Sequence, residues 1–91
     1  MRYEWDERKR ISNLEKHDLD FFDADIVFES SHVVTLSPHS SEEGFLATGT
    51  FKGRFVTVVY TMRAEAIRII SFRRARHEER DAYQKLYSSR A

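Results

Sequence analysis

The fold is decided by residues 44–73, which read GFLATGTFKGRFVTVVYTMRAEAIRIISFR. β-Branched and aromatic residues fill this stretch between turn signals, which predicts three strands, at 44–51, 54–62 and 66–73. The two-residue link Lys52-Gly53 suits a tight hairpin in which glycine supplies a positive φ. A second turn falls at 63–65, so the three strands are expected to form an antiparallel meander.

The last of these strands combines apolar and basic residues on both of its predicted faces. Strict alternation would place Ile67, Ile69, Ser71 and Arg73 on one face and Arg68, Ile70 and Phe72 on the other. Each face is half apolar and each carries arginine. One end of the sheet is therefore expected to display guanidinium groups.

The flanking sequence adds a fourth strand and three helices. Asp6 is a good helix N-cap, and a second cap signal at Asp18-Leu19-Asp20 precedes an apolar helical face. In chain order the patterns predict a helix at 6–17, a helix carrying Phe21, Ala24 and Phe28, a strand at 32–36 and a helix at 74–88. The sequence therefore predicts one α+β domain over residues 1–91: two N-terminal helices, a four-stranded antiparallel sheet and a C-terminal helix.

Composition excludes several classes of protein. The 91 residues contain no cysteine, which rules out a disulfide scaffold and thiolate zinc sites. Apolar runs stay far below the roughly 18 residues of a membrane span, and the N-terminus lacks the apolar stretch of a signal peptide. A cytoplasmic protein without a membrane partner is expected.

The formal charge of zero is the total of two unlike parts. Residues 1–30 hold five Lys and Arg against nine Asp and Glu, whereas residues 51–91 hold ten against four. An anionic ligand responds to local charge, so overall neutrality is compatible with binding to nucleic acid. The charge count favours a basic surface in the second part.

Elimination of familiar site types leaves one chemistry in view. The four histidines, at 17, 32, 39 and 77, have no i,i+4 pair, no glycine-rich turn precedes a helix, and no nucleophile elbow is present, so no cofactor or metal is expected. Cleavage of RNA without metal needs a base, an acid and cations around the phosphate. The available cations are Arg54, Arg63, Arg68, Arg73, Arg74, Arg76 and Arg80, and the available proton-transfer groups are Lys16, His17, His39, Glu43 and Tyr60.

Simpler interpretations of the same residues stay open. The arginines can instead pair with surface carboxylates such as Glu65, Glu78, Glu79 and Asp81. Lys16-His17 can complement the dipole at a helix C-terminus, and Tyr60 can pack inside an apolar strand.

Three stretches of the sequence resemble the BrnT family of ribonuclease toxins. The first is Tyr3-Glu4-Trp5-Asp6 with Lys9, Asn13, Lys16-His17 and Phe21. The second is His39-Ser40-Ser41-Glu42-Glu43-Gly44-Phe45 with Thr48-Gly49. The third runs from Gly53-Arg54 through Val58-Val59-Tyr60-Thr61, Arg63, Ile67-Arg68-Ile69-Ile70-Ser71, Arg73 and Ala75 to Glu79-Arg80 and Tyr83.

The resemblance implies a RelE-like fold and a toxin of a type II toxin–antitoxin module that cleaves RNA without metal by attack of the 2′-OH. It also implies neutralisation by a BrnA-like ribbon-helix-helix antitoxin, with operator DNA contacted only through that antitoxin. By position, the resemblance assigns the phosphate to Arg54 and Arg73 with support from Lys16, and proton transfer to His17 and Glu43. Tyr60, Arg68, Arg76 and Arg80 are assigned to RNA binding.

Three positions depart from the family pattern. Asp18 stands where glycine is usual, Gly44 replaces an arginine, and Phe72 replaces a small residue. If the missing arginine contacts phosphate in relatives, the chain could have lost its nuclease activity. The alternative is therefore a non-catalytic module that binds an antitoxin and acts as a co-repressor.

Overall fold

The computed structural model describes residues 1–37 and 44–87, and they form a five-stranded sheet with three α-helices. Glu43 and His39, both considered for proton transfer, lie outside the described residues. The strands are β1 (Arg2–Trp5), β2 (Val33–Leu36), β3 (Phe45–Phe51), β4 (Arg54–Arg63) and β5 (Ala66–Arg74). The helices are α1 (Glu7–His17), α2 (Ala24–Glu29) and α3 (His77–Tyr87), with a 3-10 turn at Phe21–Asp23 before α2.

The sheet has five strands and mixed pairing, so the prediction of four antiparallel strands was wrong in this detail. The strand order is β1-β5-β4-β3-β2, and β1 runs parallel to β5 with Arg2 opposite Ala66 and Trp5 opposite Ile69. β1 has only four residues, too few for its alternation to stand out beside the helix cap that follows. The α+β class and the three antiparallel pairings from β2 to β5 agree with the prediction.

The Lys52-Gly53 hairpin is confirmed. Lys52 has φ 51° and Gly53 has φ 76°, the pair of positive values that a two-residue turn between twisted strands requires. β3 and β4 are in register through Phe51 opposite Arg54, so the turn closes directly onto the ladder.

A β-bulge corrects the predicted faces of β5. Val59 pairs with Ser71 but Tyr60 pairs with Ile69, which leaves Ile70 as the extra residue. After the bulge, Phe72 lies on the same face as Ile67 and Ile69, and all three are buried in the core. Ser71 and Arg73 therefore face the other side of the sheet.

Aspartate side chains cap the start of α1 and of the 3-10 turn before α2. Asp6 caps α1 by accepting from the Arg8 backbone N–H at 2.8 Å, and Asp20 accepts from the Phe22 N–H at 3.0 Å, both as predicted. α3 begins at His77 rather than Arg74, because β5 continues to Arg74. The core between helices and sheet contains Leu19, Phe21, Ala24 and Val27 on one side and Ala47, Phe51, Val56, Val58, Tyr60, Ile67, Ile69 and Phe72 on the other.

Asn13 attaches α1 to the part of β5 that β1 does not reach. Its side-chain N–H groups donate to the carbonyls of Phe72 at 2.7 Å and Leu19 at 3.0 Å. Its oxygen accepts from the Phe72 backbone N–H at 3.1 Å and from the Ser71 hydroxyl at 3.3 Å. This buried amide satisfies the sheet edge beyond β1 and brings the end of α1 beside Ser71.

Candidate functional site

A groove of about 760 Å³ lies on the sheet face opposite the core. Its floor is formed by side chains of β2 to β5 that point away from α2, including Leu46, Val59 and Ile70. The first turns of α3 border it with Arg76, Glu78 and Glu79, and His17 at the end of α1 borders it from another side. The bulge in β5 is what places Ser71 and Arg73 in this groove.

Arg73 is held in the groove by Glu79. The two side chains form a bidentate pair, with Nη1 to Oε1 and Nη2 to Oε2 both at 2.9 Å. Only 14% of the Arg73 side chain and 8% of the Glu79 side chain are exposed. Such a paired geometry fixes the plane of the guanidinium, and the Arg73 Nε has no partner among the described residues.

Glu79 is the centre of a wider hydrogen-bond network. Its Oε1 also accepts from the Arg76 backbone N–H at 2.8 Å and from the Thr57 hydroxyl at 2.9 Å, and Thr57 shares a further hydrogen bond with Thr48. Burial by itself would raise the pKa of Glu79, but the bonds from Arg73, Arg76 and Thr57 outweigh it and lower the pKa to about 2. Glu79 is therefore ionised and fully engaged.

The C-terminal turn of α1 adds a lysine and a histidine at the side of the groove. His17 borders the groove, and Lys16 borders a second depression that shares His17, Ile70 and Ser71 with it. Asp18, which follows, adopts the left-handed conformation with φ 57°, and its N–H donates to the Leu14 carbonyl. This conformation is the one that glycine favours, so Asp18 adopts it at a cost in backbone energy.

The structure brings together Lys16, His17, Arg73 and Arg76 of the predicted site residues. Arg54 is elsewhere: it borders a separate depression with Leu14, Asp18, Asp20 and Asp23. Its assignment to the phosphate stays a prediction that the groove geometry does not support.

The other predicted RNA-binding residues also lie away from the groove lining. Tyr60 is buried, its ring 4.9 Å from Phe28 and 5.5 Å from Phe45, and burial raises its pKa. Arg68 pairs with Glu4 at 2.7 Å, and the Arg80 guanidinium lies 5.4 Å from the centre of the Phe55 ring. These contacts correspond to the packing and ion-pair interpretations that the sequence left open.

Two residues that organise the site had no function assigned from sequence. From sequence, Glu79 is only one of several surface carboxylates that can pair with an arginine, although its position three residues after Arg76 is the place where a glutamate reaches back to the N-cap amide. That spacing was the available signal. Asn13 is part of the first stretch that carries the family resemblance, but its residue type does not identify its partners Leu19 and Phe72, because the tertiary structure sets them.

Comparison with known proteins gives this groove its context. The family model described as ribonuclease toxin, BrnT, of type II toxin-antitoxin system matches residues 5–79. The chain thus falls in the class of ribonuclease toxins, which act on RNA. None of the curated proteins matches the chain.

A solved structure agrees with the family match. The crystal structure of the Brucella abortus ribonuclease toxin BrnT superposes with a TM-score of 0.68 at 35% identity, covering 85% of this chain and 99% of that one. The chain belongs to the BrnT family of ribonuclease toxins of type II toxin–antitoxin systems. It is accordingly a ribonuclease whose substrate is RNA and whose partner is an antitoxin. In the described part of the chain, no helix is long and apolar enough to cross a membrane.

Proposed function

We propose that the protein is an endoribonuclease that cleaves RNA in the groove, without a metal ion, by attack of the ribose 2′-OH on the adjacent phosphate. The observation that carries this proposal is the Arg73 guanidinium, held rigidly by Glu79 in a groove that His17 and Arg76 also border. A fixed guanidinium stabilises the charge that develops on phosphorus without reorganising during the reaction.

In this reaction the 2′-oxygen forms a bond to phosphorus and the bond from phosphorus to the 5′-oxygen breaks. One group accepts the 2′-OH proton and another donates a proton to the leaving 5′-oxygen. Arg73 and Arg76 bind the phosphate oxygens, and Lys16 supports them from the neighbouring depression. His17 serves as one proton-transfer group, and Glu43 is the predicted second.

Glu79 is unsuited to proton transfer. A base that works near neutral pH needs a pKa close to that pH, whereas the pKa of Glu79 is lowered to about 2. Both of its carboxylate oxygens are also occupied by Arg73. Glu79 therefore acts on the reaction through the position of Arg73.

The test is cleavage of end-labelled RNA by purified protein in excess EDTA. The proposal predicts cleavage with a 2′,3′-cyclic or 3′-phosphate end, and no cleavage of the same RNA carrying 2′-O-methyl groups. His17→Ala and Arg76→Ala should each lower kcat/KM by about 100-fold or more, since each group acts on the reacting atoms. Cleavage that disappears in EDTA, or that continues on 2′-O-methyl RNA, would overturn the mechanism.

We further propose that the antitoxin is a BrnA-like ribbon-helix-helix protein and that operator DNA is contacted only through it. The family membership supports this proposal. Co-expression with the small protein encoded beside the gene should yield a stable complex that binds the operator, whereas the toxin alone should not bind it. Operator binding by the isolated toxin would contradict the proposal. If the complex forms and binds the operator but the free toxin cleaves no RNA, the result would instead favour the co-repressor alternative.

A further inference from the structure

The depression beside the groove runs along α1 and is lined by basic side chains that have no acidic partner among the described residues. It has a volume of about 360 Å³, and we call it the α1 trough; it is lined by Arg8, Lys9, Ser12, Asn13, Lys16, His17, Ile70 and Ser71. Three of these residues, His17, Ile70 and Ser71, also line the groove. The two depressions therefore adjoin at these residues, so one RNA strand can contact both.

The charge of the trough is not compensated by any of the residues that the structure describes. The side chains of Arg8, Lys9 and Lys16 form no ion pair or hydrogen bond with any of the described residues. Neither acidic residue of α1, Glu7 or Glu15, lines the trough. Three adjacent uncompensated cations create a positive potential that an anionic ligand would relieve.

Arg10, on the same helix, shows what a structural arginine looks like here. Its guanidinium pairs with Glu7 at 2.6 Å and with Asp20 at 3.1 Å, and lies 5.0 Å from the centre of the Phe22 ring. Arg8 and Arg10 are two residues apart, so they lie on different sides of the helix. Carboxylates thus pair with arginine on the Arg10 side of α1, whereas none of the described residues that line the trough is acidic.

We propose that the α1 trough binds the sugar–phosphate backbone of the RNA strand outside the cleaved phosphate, with Arg8 and Lys9 as phosphate ligands. This inference rests on the proposed function of the groove. From Arg8 to Lys16 the helix rises about 12 Å, which spreads the cations along a path rather than around a point. The Ser12 hydroxyl borders the same path and can donate to a phosphate or ribose oxygen, whereas the Ser71 hydroxyl already donates to Asn13 and can accept from a ribose hydroxyl.

The lining favours a nucleic acid backbone over a peptide. Apart from Ile70, the trough offers three cations, two hydroxyls, the His17 imidazole and one amide that is already occupied by backbone groups. A peptide segment would need apolar anchors to bind with useful affinity, whereas a phosphate chain is held by charge alone.

The test compares two doubly substituted proteins that lose the same charge. Arg8→Gln with Lys9→Gln removes two trough cations, and Lys52→Gln with Arg63→Gln removes two cations at exposed turns of the sheet as the matched control. Binding is measured over a range of salt with 2′-O-methyl RNA of about ten nucleotides, which binds without being cut. Cleavage is measured separately on unmodified RNA of the same length and on a dinucleotide.

The trough variant should bind the longer RNA about tenfold more weakly near 0.15 M salt, and its slope of log K against log salt should fall by about 1.4. Its ratio of kcat/KM on long RNA to kcat/KM on the dinucleotide should fall by a similar factor. The control variant should match the wild type in both measurements. Equal salt slopes for the trough variant and the wild type would overturn the proposal.

Failure of this proposal is distinguishable from failure of the proposed function. If the wild type cleaves RNA in EDTA but the trough variant keeps the wild-type salt slope, only the trough proposal fails. If the wild type cleaves no RNA, the proposed function of the groove fails, and the trough proposal that rests on it fails as well. If the trough variant instead binds RNA normally but binds the antitoxin more weakly, the trough belongs to the antitoxin interface and the proposal is wrong.

Discussion

Arg73 serves the fold and the site with different parts of one guanidinium. The edge formed by Nη1 and Nη2 pairs with Glu79 and so ties the first turn of α3 to β5. The Nε–H has no partner among the described residues and can donate to a ligand. Because the side chain is already fixed, little conformational entropy is lost when it binds a phosphate oxygen. The Arg73–Glu79 pair therefore holds the Arg73 side chain ready to bind phosphate.

The neutral variant Glu79→Gln should destabilise the protein by about 3 kcal/mol. It leaves the buried Arg73 guanidinium without a compensating charge, which costs far more than loss of a surface pair. Unfolding in urea, with the m-value checked for two-state behaviour, measures the loss. Glu78→Gln at the neighbouring exposed position is the control and should cost less than about 0.5 kcal/mol. Equal losses in both variants would show that the Arg73–Glu79 pair is not special.

Stability should also fall in acid through Glu79. Its folded pKa of about 2 lies below the ordinary value of 4.5, so the carboxylate stabilises the folded state fully above about pH 4.5. That contribution is lost as the pH falls from about 4.5 toward 2, where the folded protein also takes up the proton. Urea midpoints across this range should decline more steeply for the wild type than for Glu79→Gln. Parallel curves would contradict the account.

At the scale of elements, the end of α1 contains a correctable strain. Asp18 adopts φ 57°, a conformation that costs an L-residue about 1 kcal/mol and glycine almost nothing. Asp18→Gly should therefore stabilise the protein by about 0.5 kcal/mol after the entropy of glycine in the unfolded chain is counted. Ser12→Gly, on the same helix with ordinary helical backbone, should destabilise it by about 0.5 kcal/mol. Thermal unfolding compares the two, and a loss of stability in Asp18→Gly would contradict this interpretation of the cap.

The elements that the sequence predicted are those with strong local signals. The Lys52-Gly53 turn, the Asp6 cap and the alternation in β3 and β4 each depend on neighbours in the chain. β1 and the bulge at Ile70 depend on distant partners instead: β1 pairs with β5 across the whole chain, and the bulge is defined by its register with β4. Local patterns contain no record of such pairings, so strict alternation placed Phe72 on the wrong face.

Over the whole molecule, charge is separated by surface rather than by sequence half. The segment count located the basic surface in residues 51–91, yet Arg68 and Arg73 there are paired with carboxylates. The cations beside the groove that have no acidic partner among the described residues include Arg8, Lys9 and Lys16 from the acidic N-terminal part. Folding brings α1 to the edge of β5 through Asn13, and this contact combines cations from both ends of the chain.

The candidate site, like the fold, could be predicted only in part from the sequence. Residue types and family resemblance identified His17, Lys16, Arg73 and Arg76, which the fold brings to one region. They could not separate these residues from Arg54, Arg68 and Arg80, because an arginine in a strand or helix looks the same whether it faces a groove, a carboxylate or a ring. Only the tertiary contacts distinguish these three environments.

The central claim, that Arg73 stabilises the phosphate in a metal-free reaction, is tested most directly by a charge-balanced variant. Arg73→Met combined with Glu79→Gln removes both charges, and the new side-chain amide can still accept from the Arg76 N–H and the Thr57 hydroxyl. The double variant should therefore fold within about 1–2 kcal/mol of the wild type. The measurement is cleavage of labelled RNA in EDTA at equal concentrations of folded protein. The account predicts a loss of kcat of about 100-fold or more with the fold intact, and cleavage at the wild-type rate would contradict it.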